Sequence, residues 1–458
     1  NNVTFSPTGN FTVNNGGVLN PNTRTITFNS GTFVIDGGGT VSNSGLIQTQ
    51  GSVTVDNRNG SIFNAPFKVN TGTTLVYNVV YPHYAVFNGP ITVDAGSTLT
   101  GGTGGYYIQA KGSFTNNGIL TGSSTIIIRG TSLVNNNSIT CSSLIFDSAT
   151  TVSGSGSFTS SVISIGSSGN ISLGSNVTFS PGSSFGLNSG GILNPNGFTF
   201  TANGNFYFYS GSTVTSSGTF RTQVSASLVC KSGSYFNGNL KVNTGTTYIF
   251  DDNWPYEGAV YGIVTIDSGA LITTPNGGYT LKAFNNLTNN GTISCGNSGA
   301  SFKYYGGILT NNGVVNAVPF YFDTASHTLQ GTGSWETNAY ILTGSTVYLG
   351  SNHKMYSLTV YSGGAFNLLS YKLSLAASNP IDNSGTFNTS TGMVEYNGTS
   401  AQSLSTTNVT YNKLRINNSA GAYLPGSFTV NDTLSVILGD LNLNGFVLTL
   451  APAGYLTE

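Results

Sequence analysis

The chain has 458 residues, of which 62 are glycine and only 29 are charged: 15 Asp or Glu against 14 Lys or Arg, a net charge of −1. So small and balanced a charge excludes both a basic nucleic-acid-binding surface and an acidic solvating chain, and a content of 38% hydrophobic and 12% aromatic residues excludes disorder. Helix-forming Ala-Leu-Glu-Lys stretches are missing, so the chain reads as all-β.

From the N-terminus, short runs at 17–20, 25–28, 32–35 and 46–49 alternate apolar residues with Thr, Ser or Asn. Asn-Gly, Ser-Gly and Gly-Gly pairs punctuate them, at 15–17, 30–31, 44–45, 59–60 and onward, and favour tight turns that need positive φ. No apolar run approaches the 18 or more residues of a membrane span. Cys141, Cys230 and Cys295 lie far apart, without metal-ligand spacing.

A long duplication follows. Asn-Val-Thr-Phe-Ser-Pro at 2–7 returns at 176–181, Leu-Asn-Pro-Asn at 19–22 returns at 193–196, and Lys-Val-Asn-Thr-Gly-Thr-Thr at 68–74 returns at 241–247. The pairs Phe146-Asp147 and Phe322-Asp323 end the match, so about 175 residues are copied. This divides the chain into a first unit at 1–175, its duplicate at 176–351 and a C-terminal β-repeat segment at 352–458.

Such a pattern fits either β-sandwiches or a solenoid, and charge separates them. In a stack of coils, equivalent side chains lie about 4.8 Å apart, where like charges repel by roughly 1 kcal/mol even in water. Charge is then suppressed, while Asn, Ser, Thr and aromatic ladders are tolerated. The prediction is a parallel β-solenoid, or β-helix, of short Gly- and Asn-punctuated coils of roughly 20 residues.

Residues that could carry chemistry are few. Asp94 and Asp267 sit beside Ala-Gly and Ser-Gly, the setting of turn-capping aspartates, and Asp147 and Asp323 read the same way. The adjacent Asp251 and Asp252 would diverge on a strand. His83, His327 and His353 have no nucleophile-base order and read as surface residues. Gly-Gly-Thr-Gly-Gly at 101–105 lacks the Lys-Ser/Thr of a phosphate loop. We expect no catalytic site, no metal and no cofactor.

The stretches 77–87 and 251–261 break the rhythm at the same place in both copies, with Pro82 and Pro255 in register. Proline cannot donate to a strand ladder, so these stretches are expected to leave the stack and expose Tyr81, Tyr84, Trp254 and Tyr256 to a glycan or a protein partner. The competing expectation is that the rings fold back over the side of the solenoid.

The sequence at 392–404, GMVEYNGTSAQSL, is followed by YNKLRINNSAG at 411–421 and SFTVNDTLSVILGDLNLNGFVLTL at 427–450. This succession, over 386–450, resembles the repeats of large cell-surface proteins of the Bacteroidota and related bacteria, many exported by the type IX route. The resemblance implies an extracellular β-solenoid of adhesin or surface-layer type. Neither end shows a capping segment, so head-to-tail association of copies into a homopolymeric filament is expected. The functional expectation is thus a non-enzymatic, structural and adhesive surface protein whose partners are itself and glycans. A polysaccharide-degrading β-helix is the alternative.

Overall fold

The structure is a computed structural model, and it describes residues 1–231, 234–296, 299–316 and 319–457. It is all-β, a parallel β-solenoid of about 21 turns. Paired residues are 18 to 25 positions apart, from Tyr107 opposite Thr125 to Thr73 opposite Thr98. The expected fold class is therefore observed, with coils close to the expected length. Two compact units are distinguished, Asn1–Gly238 and Asn239–Glu458.

In the first unit the coils lay their strands on three faces, with some strands, such as Ile119–Ile128, running on from one face to the next. The first face begins with Val3–Phe5, Thr25–Phe28, Leu46–Thr49 and Phe67–Val69. The second begins with Asn10–Val13, Thr32–Ile35, Ser52–Asn57 and Thr73–Tyr77. The third begins with Val18–Leu19, Thr40–Val41 and Ile62–Phe63. Side chains alternate in and out: Phe67 and Val69 are buried, and Lys68 between them points to solvent. The second unit repeats the plan with columns that start at Asn239–Val242, Thr246–Phe250 and Glu257–Val260.

The interior is ordered into ladders. Phe158, Phe179, Phe200 and Phe220 stack one per coil, with successive ring centroids 4.4, 5.0 and 5.1 Å apart and planes within 24° of parallel. That is the spacing of hydrogen-bonded neighbouring strands. Fully buried asparagines form amide ladders in the same manner: Asn116 Nδ2 donates to Asn135 Oδ1, and its copy Asn289 donates to Asn311 Oδ1, both at 2.8 Å. Asn289 also donates to the Val314 carbonyl and accepts from the Gly291 amide. Asn289→Ala should strand these three partners in a dry corner and cost about 1–3 kcal/mol, read as a shift of the urea midpoint.

Glycine is needed where coils touch backbone to backbone. At one bend repeated in three successive coils, a Cβ on Gly89, Gly112 or Gly130 would lie 2.2, 2.4 or 1.9 Å from backbone atoms of the coil before. Charges obey the column rule. Lys68 pairs with Asp94 at 2.8 Å, Arg129 with Asp147 at 2.7 Å, and Lys241 with Asp267 at 3.1 Å, each pair linking adjacent coils. Such surface pairs are worth about 0–1 kcal/mol. Lys282 and Lys303 are an exception, directly in register, and Lys282 is neutralised by Glu257.

The duplication does not coincide with a whole number of coils. On the first face the register runs from Val3 through Ile26, Ile47, Phe67, Ile91, Phe114, Leu133 and Val152 to Leu173, eight steps. Val177–Phe179, the copy of Val3–Phe5, lies on the second face, next to Ser157–Phe158. Within this unit the repeated phrase has therefore advanced eight coils plus one face.

Candidate functional site

Where the second face of the first unit turns into the third, the strand Thr73–Tyr77 ends and Tyr84–Phe87 begins, and residues 78–83 project as a loop. Asn78 anchors it. Its buried side chain accepts from the Val80 amide at 2.8 Å and donates to the Tyr84 carbonyl at 2.9 Å, while the His83 amide donates to the Val80 carbonyl. Asp56 Oδ1, nearly buried, accepts from the Val79 amide.

The second unit builds the same device at 251–256. Asp251 takes the place of Asn78, buried, its carboxylate accepting from the Asn253 amide at 2.9 Å, and the Tyr256 amide donates to the Asn253 carbonyl. The peptide bonds before Pro82 and Pro255 are both cis, and His83 and Tyr256 both have positive φ, 66° and 62°.

These anchors hold out two rings. Tyr81 and Trp254, at equivalent positions of the two loops, are each 82% exposed. Behind each lies a platform of rings at matching positions. His83 meets Tyr106 at 5.1 Å and Tyr106 meets Tyr77 at 5.9 Å; Tyr256 meets Tyr279 at 5.3 Å and Tyr279 meets Phe250 at 5.6 Å. In the first unit Tyr77 and Tyr106, with Leu75, Thr100 and Thr103, line an open hollow of about 490 Å³ beside the loop. Burial, and secondarily the Asp56 carboxylate, push the Tyr77 phenol above its ordinary range, so it remains a donor.

The four expected contact residues thus divide. Tyr81 and Trp254 are exposed rather than folded back over the side of the solenoid. Tyr256 is 38% exposed, its ring set against Tyr279. Tyr84 is a correction: it opens a strand rather than lying in the loop and is half-buried, stacked on Tyr107 at 4.5 Å. The chain recovers the ladder immediately after the proline turn, and Tyr84 pairs in register with Tyr107. Tyr106 and Tyr279 were missed, although Gly-Gly-Tyr recurs at 104–106 and 277–279.

The remaining candidates take structural places. Asp94 and Asp267 direct their carboxylates to lysines, and the turns are closed by their backbone carbonyls, so they are not side-chain caps. Asp251 is buried and Asp252 exposed. The reading of His327 and His353 as surface residues is wrong. Each occupies an inward position of its strand and is at most 3% exposed, whereas His83 lies in the first loop.

The three cysteines are free thiols. Burial raises Cys141 to about 11 and Cys295 to about 12, so neither is a thiolate nucleophile at neutral pH. Among the described residues no group of His, Cys, Asp or Glu is arranged to hold a metal ion, and no helix is long and apolar enough to cross a membrane. In comparison with known proteins, neither a family model nor a curated sequence matches this chain.

Proposed function

We propose that the protein is a structural and adhesive component of a bacterial cell surface, extracellular and without catalytic activity, which contacts glycans through Tyr81 and Trp254. The carrying observation is that two rings at equivalent positions of a duplicated loop are both 82% exposed on well-anchored turns. An aromatic ring held open to water offers a flat apolar face that suits the C–H face of a sugar. By contrast, the surface rings of Tyr261, Phe284 and Tyr305 stack at 4.5 and 4.6 Å with planes within 10°, so they cover one another's faces.

The test is a glycan array followed by affinity titration. The double variant Tyr81→Ala with Trp254→Ala should lose at least about ten-fold in affinity while its unfolding midpoint moves by less than about 0.5 kcal/mol, as for other surface substitutions. Unchanged binding in that variant would remove the assignment, and release of reducing sugar from any bound polysaccharide would favour the enzymatic alternative.

In the same reading copies of the chain associate into a filament or layer, as the resemblance of 386–450 to surface-protein repeats implies. A chain that stays monomeric at high concentration by size-exclusion chromatography and electron microscopy would remove this part.

A further inference from the structure

One hollow of the second unit is bordered by cations, unusual in a chain with only 14 of them. Lys372, Lys413 and Arg415, with Tyr371, Thr391 and Asn352, line about 300 Å³ of open space. The strands Lys372–Leu375, Met393–Tyr396 and Val409–Asn417 stack there in register, Lys372 opposite Met393 opposite Lys413, and Ser374 opposite Glu395 opposite Arg415. Alternation sends all six side chains to the same side of the sheet, and Lys372 and Lys413, two coils apart, are roughly 10 Å from each other along it.

The acidic groups do not saturate these cations. Glu395, 3% exposed, is held from below: Ser374 Oγ donates to it at 2.5 Å and Lys372 Nζ at 3.0 Å, while Arg415 Nη1 stands 3.5 Å away. Among the described residues the Arg415 guanidinium makes no hydrogen bond, and its Nε is buried without an acceptor. Among the described residues Lys413 pairs only with Asp432, at 3.7 Å, with both side chains about a third exposed. Three lining cations against two carboxylates leave one positive charge, and the two terminal nitrogens of the Arg415 guanidinium form a fork with open donors.

We propose that this hollow binds an oxyanion carried on a sugar chain, a uronate carboxylate or a sulfate ester. The Arg415 fork receives two of its oxygens, Lys413 adds a point charge, and the Tyr371 and Thr391 side chains face the sugar hydroxyls. A nucleic acid is a poorer fit, since its affinity comes from a long track of phosphate contacts and the cations that line this hollow span only three coils.

The test is calorimetric titration of the full chain with a uronic acid hexasaccharide, a sulfated hexasaccharide, a neutral glucose hexasaccharide and free sodium sulfate. The acidic oligomers should bind with an affinity that falls as salt rises, the neutral one should not bind at this hollow, and sulfate should compete. Arg415→Gln should weaken binding at least about ten-fold. Because it also strips a neighbour from Glu395, Lys413→Gln is the deciding variant: it leaves Glu395 untouched and should weaken binding several-fold. Tyr81→Ala with Trp254→Ala should leave the acidic oligomers unaffected, which separates this site from the loops. No binding of acidic oligomers, equal binding of neutral and acidic ones by the chain that carries Tyr81→Ala with Trp254→Ala, or full affinity in Lys413→Gln would overturn the proposal. Preference between carboxylate and sulfate identifies the source of the anion.

Discussion

Phe200→Ala is expected to cost about 3–5 kcal/mol, the upper range for emptying a dry aromatic site. Phe200 is fully buried and touches four rings: Phe179 and Phe220 stack on its faces at 5.0 and 5.1 Å, and Phe185 and Phe206 meet its edge at 5.6 and 6.0 Å. The backbone ladder pins the coils above and below at strand spacing, so they cannot close over the void. Phe284→Ala makes the contrast. That ring also sits between two others, Tyr261 and Tyr305, but half-exposed on the surface, and its loss should cost about 1 kcal/mol. Since each coil depends on its neighbours, amide exchange should accelerate mainly in strands 177–222 in the first variant. Equal costs at the two positions, or loosening spread evenly along the chain, would mean that burial and neighbour contact are not what hold the stack.

What could be read from the sequence was local. Scarce charge, alternation and turn residues every few positions announce stacked coils, because each is a property of one coil and its neighbour. The eight-coil-plus-one-face advance was not legible. Coils vary from 18 to 25 residues, and strands such as Ile119–Ile128 and Ser138–Phe146 run through a corner, with the register shifting between Gly122 and Thr125 where other coils place a loop. Counting turns in the sequence therefore loses the face. Pro82 and Pro255 marked the two projecting loops, since a residue that cannot join the ladder advertises where the chain leaves it. They also drew attention past the loop to Tyr84, which had already rejoined the sheet. The rings behind the loops, Tyr106 and Tyr279, belong to the next coil, and the Lys372, Glu395 and Arg415 cluster spans three coils; both arise only when residues about 20 apart are laid side by side.

His327 and His353 were legible in principle, because each alternates with an inward neighbour, Leu329 and Met355. Their burial predicts that the second unit loses stability in acid. Burial pushes His353 down to about 4, opposed only in part by the nearby Leu329 backbone; its Nε2 lies 3.2 Å from the Ser351 hydroxyl and its Nδ1 is buried without a partner. Burial lowers His327 as well, against a hydrogen bond to the Gly306 carbonyl at 2.7 Å and the charge of Asp323. Both rings are neutral in the folded chain at pH 7, and the unfolded chain begins to take up protons near pH 6.5, which the folded chain refuses until about pH 4 at His353. Stability is thus intact above pH 6.5 and declines as pH falls towards 4, where His353 alone accounts for a loss of about 3 kcal/mol. Urea midpoints at pH 7.5, 5.5 and 4.0 should fall progressively. In His353→Gln the drop between pH 7.5 and 4.0 should shrink by that amount, whatever the substitution costs at neutral pH. A drop of the same size in the variant would assign the acid sensitivity to other groups. The expected acid lability of the second unit follows from the same architecture that stabilises it: an interior with no partner for a histidine's positive charge must expel the proton, and it can do so only while the surrounding solution is not too acidic.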